Sequence, residues 1–318
     1  MACTNPNLMR FCIDSGTGAV VCSFSGNGSY MDPAQYGTPY KDPVWYVPVP
    51  CGKCASCKCD YSRDWANRMI LELQDHQEAM FLTLTYNDAH LPISSQGFPT
   101  LDKRDIQLFL KRLRKHLGDH RIRYYLAGEY GTTTHRPHYH AIIYGIGINS
   151  FDDLVFRGYN KLGHPYFTSP TLEAIWGNGF ISFSSVTWRT CNYVARYVIK
   201  KQADRDDCLG VCLPPFNLSS RRPGIGLSRA DEMLSSGQSV FSVDGRDGIH
   251  NIPIPRSAIK RLKAIDLDKY NDICYIRSMI AMDKIRAEAA LTDLPYHDYL
   301  ANKNRDLVRK LSILPERK

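Results

Sequence analysis

The sequence contains no long apolar run and no nucleotide-binding signature. None of its segments reaches the roughly 18 consecutive apolar residues of a transmembrane helix. Its first residues, MACTNP, lack the basic and then apolar pattern of a secretory signal, so we expect a soluble protein that stays in the compartment where it is made. The GxxxxGK[ST] motif is also absent, which excludes an attached P-loop helicase.

Acidic residues are comparatively few. The chain has 40 Lys and Arg residues against 32 Asp and Glu residues, which gives a formal net charge of +8. This balance favours an anionic partner such as nucleic acid. The length of 318 residues and the hydrophobic content of 43% are sufficient for one large packed domain or two smaller ones.

Cysteine, in contrast, is abundant. There are 11 cysteines, an odd number that fits free thiols in a reducing cytoplasm. Four of them crowd into one short segment: Cys51, Cys54, Cys57 and Cys59. This spacing suits a structural zinc site, to which Cys3, Cys12 or Cys22 could add a ligand from a second segment. The alternative is a tight turn with free thiols.

A pair of histidines gives the clearest chemical signal. Residues 136–145, RPHYHAIIYG, predict a strand that begins near a proline and continues with β-branched and aromatic residues. Because side chains alternate across a strand, His138 and His140 lie on one face and Tyr139 on the other. Two imidazoles on one face can share a metal ion. The alternative is a pair of polar residues on a half-exposed strand.

A carboxylate is predicted to complete this pair. Residues 122–129, IRYYLAGE, predict another strand, which ends before a turn-rich segment. If the two strands form a hairpin, Glu129 lies beside His138 and His140. Two imidazoles and one carboxylate suit Mg²⁺ or Mn²⁺, with open positions for water and phosphate oxygen.

Two tyrosines stand at helical spacing further along the chain. The segment CNYVARYVIKK contains no Gly or Pro, so a helix would place Tyr193 and Tyr197 on one face. Each has a basic residue three positions later, Arg196 and Lys200, and Lys201 follows directly. A tyrosine nucleophile needs cationic or metal assistance to form its phenolate at neutral pH. The alternative is that the pair belongs to the core or to a surface patch.

Together these motifs resemble a known superfamily. His138-Tyr139-His140 resembles the His-hydrophobic-His motif of the HUH endonucleases, single-strand DNA endonucleases that initiate rolling-circle replication. YVARYVIKK resembles the two-tyrosine motif of the phage initiators among them, and FLTLTY resembles the first motif of the superfamily. The wider pattern, which includes VPCGKC, GEYG and SRRPGIG, is similar to the replication initiators of gokushovirus-type single-stranded DNA phages.

The resemblance implies a metal-dependent, site-specific DNA nickase with strand-transfer activity. In such a protein Tyr197 or Tyr193 attacks the scissile phosphate, which gives a covalent 5′-phosphotyrosine and a free 3′-hydroxyl that primes synthesis. The second tyrosine cleaves the regenerated origin, and the released 3′-hydroxyl closes a unit-length circle. Lys200 or Lys201 orients the phosphate or protonates the leaving oxygen. The expected substrate is single-stranded DNA at a phage origin, the expected partners are the host helicase and polymerase machinery, and the expected location is the host bacterial cytoplasm.

The order of predicted elements gives an α+β fold. Strand, helix, strand, strand, helix, strand and helix follow one another up to the tyrosine segment, which predicts a central antiparallel sheet covered by helices. The resemblance implies the same HUH endonuclease-like fold. We expect an irregular N-terminal arm with the cysteines at residues 1–59, the endonuclease domain at 60–202, and a mainly helical region with DNA or host-partner contacts at 203–318.

Basic residues are concentrated on the outer side of a helix predicted over residues 101–117 and before a glycine-containing turn at residues 221–226. Arginines pair with phosphate, and glycines permit close approach of a backbone. The alternatives are a solvated helix face and an ordinary surface turn. The candidate nucleic-acid contacts are Lys111, Arg114, Lys115, Arg196, Arg221 and Arg222.

Two other classes of protein remain open. A non-enzymatic nucleic-acid-binding protein stapled by zinc would bind DNA without either tyrosine and form no covalent adduct. An HUH transposase or relaxase would share the histidine motif and the tyrosine chemistry. The two-tyrosine segment and the missing helicase motif favour a phage initiator over a relaxase.

Overall fold

A computed structural model of the chain describes residues 3–131, 133–160, 163–200, 210–238, 240–245 and 248–313. In chain order, the strands are β1 (Asn7–Ile13), β2 (Val20–Asn27), β3 (Val44–Val49), β4 (Ala79–Tyr86), β5 (Arg123–Tyr130), β6 (Pro137–Tyr144), β7 (Val155–Tyr159), β8 (Pro165–Thr168), β9 (Gly179–Ser185), β10 (Phe216–Ser219), β11 (Val240–Gly245) and β12 (Gly248–Pro253). The helices are α1 (Ala55–Leu73), α2 (Lys103–Leu117), α3 (Pro170–Trp176), α4 (Trp188–Lys200), α5 (Leu227–Ser235), α6 (Arg256–Ile265), α7 (Leu267–Ala289) and α8 (Tyr296–Ile313).

The chain forms two compact units. One consists of Met1–Tyr61 and Ile259–Lys318, and the other of Ser62–Ala258. The first and last segments of the chain therefore share one unit. The three-part division expected from the sequence stays a prediction.

A seven-stranded antiparallel sheet organises the unit Ser62–Ala258. Its strand order is β10-β5-β6-β4-β9-β8-β7, so the histidine strand β6 is central, between β5 and β4. The predicted α+β fold with a central antiparallel sheet is confirmed. The hairpin of β7 and β8 extends this sheet beyond the strands that the sequence pattern predicted.

Alternation along the strands decides which side chains form the core. In β4 every second residue is buried, and Leu82 and Leu84 pack on the face that also receives Tyr139 of β6. Helices α2 and α3 cover this face, with Phe109 and Trp176 in the same cluster.

The opposite face of the sheet carries the histidines and is also covered by helices. Helix α4 packs next to β5 and β6. The second half of α1 lies at the far end of β6, where the Tyr144 hydroxyl donates a 3.0 Å hydrogen bond to the Met69 carbonyl. Helices on both faces exclude water from the central strands, so polar side chains near the histidines are largely buried.

The other unit contains more regular structure in its N-terminal part than the Gly-, Ser- and Pro-rich composition indicates. Strands β2, β1 and β3 form an antiparallel sheet in that order, and Phe11 stacks on Trp45 at a ring distance of 5.7 Å. Leu8, Tyr36 and Met282 form a small buried cluster. The C-terminal region is mainly helical, as expected. No helix in the described part of the chain is both long and apolar enough to cross a membrane.

Candidate metal and tyrosine site

Strand register brings the three predicted metal ligands together. Strands β5 and β6 pair as an antiparallel hairpin in which Glu129 is opposite His138 and Ala127 is opposite His140. Since Glu129 and Ala127 are two residues apart, as are the two histidines, all of these side chains lie on the same face. The predicted juxtaposition therefore follows from pairing and alternation alone.

The three side chains converge on one point. Oε1 of Glu129 lies 2.8 Å from Nε2 of His138 and 3.1 Å from Nε2 of His140. The two imidazole rings are nearly perpendicular, with centroids 5.0 Å apart. One oxygen and two nitrogen ligand atoms lie within 4.8 Å of one another, close enough to hold a single metal ion.

The site combines a buried charge with one open side. Glu129 and His140 are buried, whereas the His138 side chain is 20% exposed. Burial raises the pKa of the Glu129 carboxyl, but the hydrogen bonds and charges of the two histidines outweigh burial and lower the pKa to about 2. The carboxylate is therefore ionised near neutral pH, and a ligand can approach past His138.

Neighbouring polar groups orient both imidazoles. Nδ1 of His138 donates to the Arg136 carbonyl at 3.2 Å, because a carbonyl oxygen only accepts. Its Nε2 then faces Glu129, so the ring either carries a second proton there or presents a lone pair to a cation. Nδ1 of His140 is 3.0 Å from the Thr83 hydroxyl. Partners of this kind fix the ring orientation of metal-ligating histidines.

Helix α4 brings Tyr193 to the site. The Tyr193 hydroxyl lies 3.3 Å from Nε2 of His140, and the two rings are 5.0 Å apart. Phe81 stacks on His140 and meets the Tyr193 ring edge-on, with ring centroids 5.7 Å and 6.1 Å away. Thr83 and Phe81 were not among the predicted site residues, although the alternation of β4 places both on the histidine face.

The rest of the tyrosine segment is only partly described. The backbone of α4 continues to Lys200, but the side chains of Tyr197 and Lys200 lie outside the described residues, as does Lys201 altogether. Arg196 is exposed on α4. Of the predicted tyrosine pair, the structure therefore relates Tyr193 to the metal ligands, and the role of Tyr197 stays a prediction.

Three of the predicted nucleic-acid contacts line one cleft. Arg114 of α2, with Arg221 and Arg222 after β10, borders an open cleft of about 470 Å³ that Arg123 and Tyr124 of β5 also line. The Arg114 guanidinium lies 5.6 Å from the centroid of the Tyr124 ring. Four arginines and one aromatic ring are suited to a phosphate backbone and a base.

The remaining predicted contacts lie elsewhere. Lys111 and Lys115 are exposed on α2 but are not among the residues that line the cleft. Arg123, which lines the cleft, is six residues from Glu129 on the same strand, about 20 Å at the usual rise. The cleft is therefore separate from the metal site.

The cysteine cluster has a different membership from the one that the sequence predicts. Cys3 joins Cys51, Cys54 and Cys57, whereas Cys59 is not part of the group. Cys57 and Cys59 both lie in α1, and two residues in a helix point about 200° apart. Cys3, one of the three candidates for a ligand from a second segment, takes the fourth place.

The fold and the site define an α+β protein with two imidazoles, a carboxylate and a tyrosine hydroxyl assembled at the centre of an antiparallel sheet. The family model for the replication-associated protein ORF2 family matches residues 79–202, which span β4 to α4 and hold all of these groups. Replication-associated protein ORF2 of Spiroplasma virus 4 is 30% identical over 270 residues, which cover 81% of this chain and 82% of the relative. The chain therefore belongs to the replication-associated protein family of small phages.

Two further relatives come from phages of other bacteria. Replication-associated protein VP4 of Bdellovibrio phage phiMH2K is 34% identical over 217 residues, 65% of each chain. Replication-associated protein ORF4 of Chlamydia phage 1 is 34% identical over 179 residues, 55% of this chain and 42% of the relative. These relatives are of the gokushovirus type, as the sequence motifs indicated. No solved structure matches the chain.

Proposed function

We propose that this protein initiates rolling-circle replication of a phage genome by nicking single-stranded origin DNA and later rejoining the strand ends. The observation that carries this proposal is the position of the Tyr193 hydroxyl, 3.3 Å from a histidine that also contacts Glu129. A nucleophile beside a cluster of metal-ligating groups is what phosphoryl transfer to tyrosine requires. Membership of a phage replication-associated family supports this choice.

Glu129, His138 and His140 are the residues that would hold the metal ion. Their nitrogen and oxygen donors suit Mg²⁺ or Mn²⁺, and none of the three offers sulfur. A bound divalent ion supplies Lewis acidity to the scissile phosphate and helps the nearby hydroxyl to lose its proton. Thr83 and the Arg136 carbonyl keep the imidazoles oriented towards the common point.

The proposed reaction exchanges one phosphodiester bond for another. The Tyr193 oxygen bonds to phosphorus, the bond from phosphorus to the 3′-oxygen breaks, and the leaving oxygen takes up a proton. The enzyme then carries a 5′-phosphotyrosine, which retains the bond energy needed for rejoining without ATP. The free 3′-hydroxyl primes synthesis by the host polymerase.

A second tyrosine completes the cycle in this proposal. Tyr197, four residues after Tyr193 on the same helix, cleaves the regenerated origin, and the released 3′-hydroxyl attacks the first phosphotyrosine. Lys200 or Lys201 protonates the leaving oxygen or orients the phosphate. The arginine cleft holds the DNA backbone away from the reacting bond. Unwinding requires a host helicase, which places the reaction in the bacterial cytoplasm.

The test is denaturing gel electrophoresis of the protein mixed with single-stranded genome fragments of a related phage and Mn²⁺. Wild type should give a slowed, nuclease-sensitive protein band. Tyr193→Phe and Tyr197→Phe should each retain part of this band, and the double variant should lose it. Tyr159→Phe, an exposed tyrosine on β7, is the matched control and should behave as wild type.

A non-enzymatic DNA-binding protein is the second candidate, and the cysteine cluster favours it because such clusters often stabilise nucleic-acid-binding modules. In that case no fragment would give an adduct with Mg²⁺ or Mn²⁺. DNA binding would also survive replacement of both tyrosines. The two results together would reject the nickase.

A further inference from the structure

A second group of metal-ligating side chains lies in the unit that contains both ends of the chain. Its members are Cys3, Cys51, Cys54 and Cys57. Cys3 precedes β1, Cys51 and Cys54 follow β3, and Cys57 is in the first turn of α1. None of these thiols takes part in the proposed nicking reaction.

The sulfur atoms are arranged as ligands rather than as disulfides. Sγ of Cys3 lies 3.6 Å from Sγ of Cys51 and 3.7 Å from Sγ of Cys54, whereas a disulfide bond is about 2.05 Å long. All four sulfurs lie within 4.8 Å of one another. A regular tetrahedron with a centre-to-corner distance of about 2.3 Å, the usual distance from zinc to sulfur, has corners about 3.8 Å apart.

We propose that Cys3, Cys51, Cys54 and Cys57 bind one structural zinc ion. Four thiolates and no oxygen or nitrogen donor form a soft ligand set, and tetrahedral sulfur coordination is typical of zinc or iron. An iron–sulfur cluster would hold the cysteine sulfurs further apart, because several irons and sulfides lie between them. Short distances around one centre therefore select a mononuclear site.

The surrounding backbone is built to support thiolates. The Cys51 amide donates to Sγ of Cys3, and the amides of Lys53 and Cys54 donate to Sγ of Cys51, each at 3.4 Å. Burial raises the pKa of the Cys54 thiol, but hydrogen bonds from Thr4 and the Cys57 backbone outweigh it and lower the pKa to about 6. A thiolate next to three more thiols is stabilised by a cation that deprotonates them all.

The zinc ion would have a structural consequence for the start of the chain. It ties residue 3 to a segment 48 or more residues later and to the first turn of α1. Closing a loop of this length restricts the unfolded chain, and the free energy of binding adds to the stability of the folded unit. This role is independent of the nicking chemistry.

The deciding experiment is metal analysis of the full-length protein, purified without chelator, by inductively coupled plasma mass spectrometry. Two single variants separate the site in the structure from the one that the sequence spacing predicts. Wild type and Cys59→Ser should carry close to one zinc per chain, and Cys3→Ser and Cys54→Ser should carry less than about 0.2, because a structural site is nearly stoichiometric. Cys22→Ser, at an exposed cysteine of β2, should retain zinc.

A measurement on the wild-type protein covers the case in which a cysteine variant fails to fold. Replacing zinc by Co²⁺ should give the visible absorption of tetrahedral cobalt bound to thiolates. Wild type with less than about 0.2 zinc, or with iron in its place, would overturn the proposal. Loss of zinc from Cys59→Ser with retention in Cys3→Ser would overturn the assignment of Cys3.

Discussion

At the scale of single residues, Glu129 is the group that both histidines share. Its carboxylate contacts Nε2 of His138 and of His140, and the low pKa keeps it charged. Glu129→Gln keeps the shape of the side chain but removes the charge that attracts a divalent ion. We expect the Kd for Mn²⁺ to rise by at least about 10-fold, since even outer partners of metal ligands contribute that much.

Isothermal titration calorimetry measures this change directly. Glu232→Gln, on the exposed side of α5, is the matched control and should bind Mn²⁺ as wild type does. Unchanged Mn²⁺ affinity together with an unchanged nicking rate in Glu129→Gln would remove Glu129 from the ligand set.

Thr83 makes a second prediction at this scale. Its hydroxyl lies 3.0 Å from Nδ1 of His140, and valine has the same shape without the hydroxyl. We expect Thr83→Val to raise the Mn²⁺ concentration for half-maximal nicking by about 10-fold, because the imidazole loses its orienting partner. Nicking should approach the wild-type rate at saturating Mn²⁺, as fits a positioning residue.

The neighbouring strand position provides a close control. Thr85 lies on the same face of β4, but its hydroxyl donates to the Phe180 carbonyl rather than to a histidine. Thr85→Val should leave the Mn²⁺ dependence within about twofold of wild type. Equal effects of both substitutions would assign the loss to a general disturbance of β4.

At the scale of secondary-structure elements, the arginine cleft joins α2, β5 and the segment after β10. If Arg221 and Arg222 each neutralise one phosphate, replacing both with alanine should weaken single-stranded DNA binding at low salt. The slope of log K against log salt should fall by about 1.4, given about 0.7 per phosphate contact. Fluorescence anisotropy over a range of salt concentrations measures this slope.

The control for the cleft removes the same charge elsewhere. Arg104 and Arg157 are exposed, and neither lines the cleft. The double alanine variant at these two positions should change affinity through net charge and leave the slope near that of wild type. A slope that falls equally in both double variants would mean that the cleft is not a specific contact.

The same scale shows what local pattern can and cannot predict. The hairpin that joins Glu129 to the histidines was predictable because strand alternation has a period of two and the strands are neighbours in sequence. The cysteine group was only partly predictable, since Cys3 reaches Cys51 through tertiary packing of the β1 to β3 sheet. That sheet was missed because its Gly-, Ser- and Pro-rich connections obscure the alternation. The cleft joins segments about a hundred residues apart, a proximity that no local pattern contains.

At the scale of the whole molecule, metal binding and folding are linked. An ion that binds only the folded state adds about 2.7 kcal/mol of stability at a concentration of 100 times its Kd. For a unit of about 200 residues this corresponds to a rise in Tm of about 5–10 °C. The rise should appear in the transition of the unit Ser62–Ala258, because that unit contains Glu129, His138 and His140.

Differential scanning calorimetry with and without Mn²⁺ tests this linkage, with the two units treated as separate transitions. The variant with His138→Ala and His140→Ala should lose the Mn²⁺-dependent rise, and the control with His90→Ala and His164→Ala should keep it. Chelators are omitted so that any zinc at the cysteines is left in place. A rise in Tm that persists in the first variant would mean that Mn²⁺ stabilises the fold from somewhere other than the strand pair β5 and β6, and the metal-dependent nickase would lose its central support.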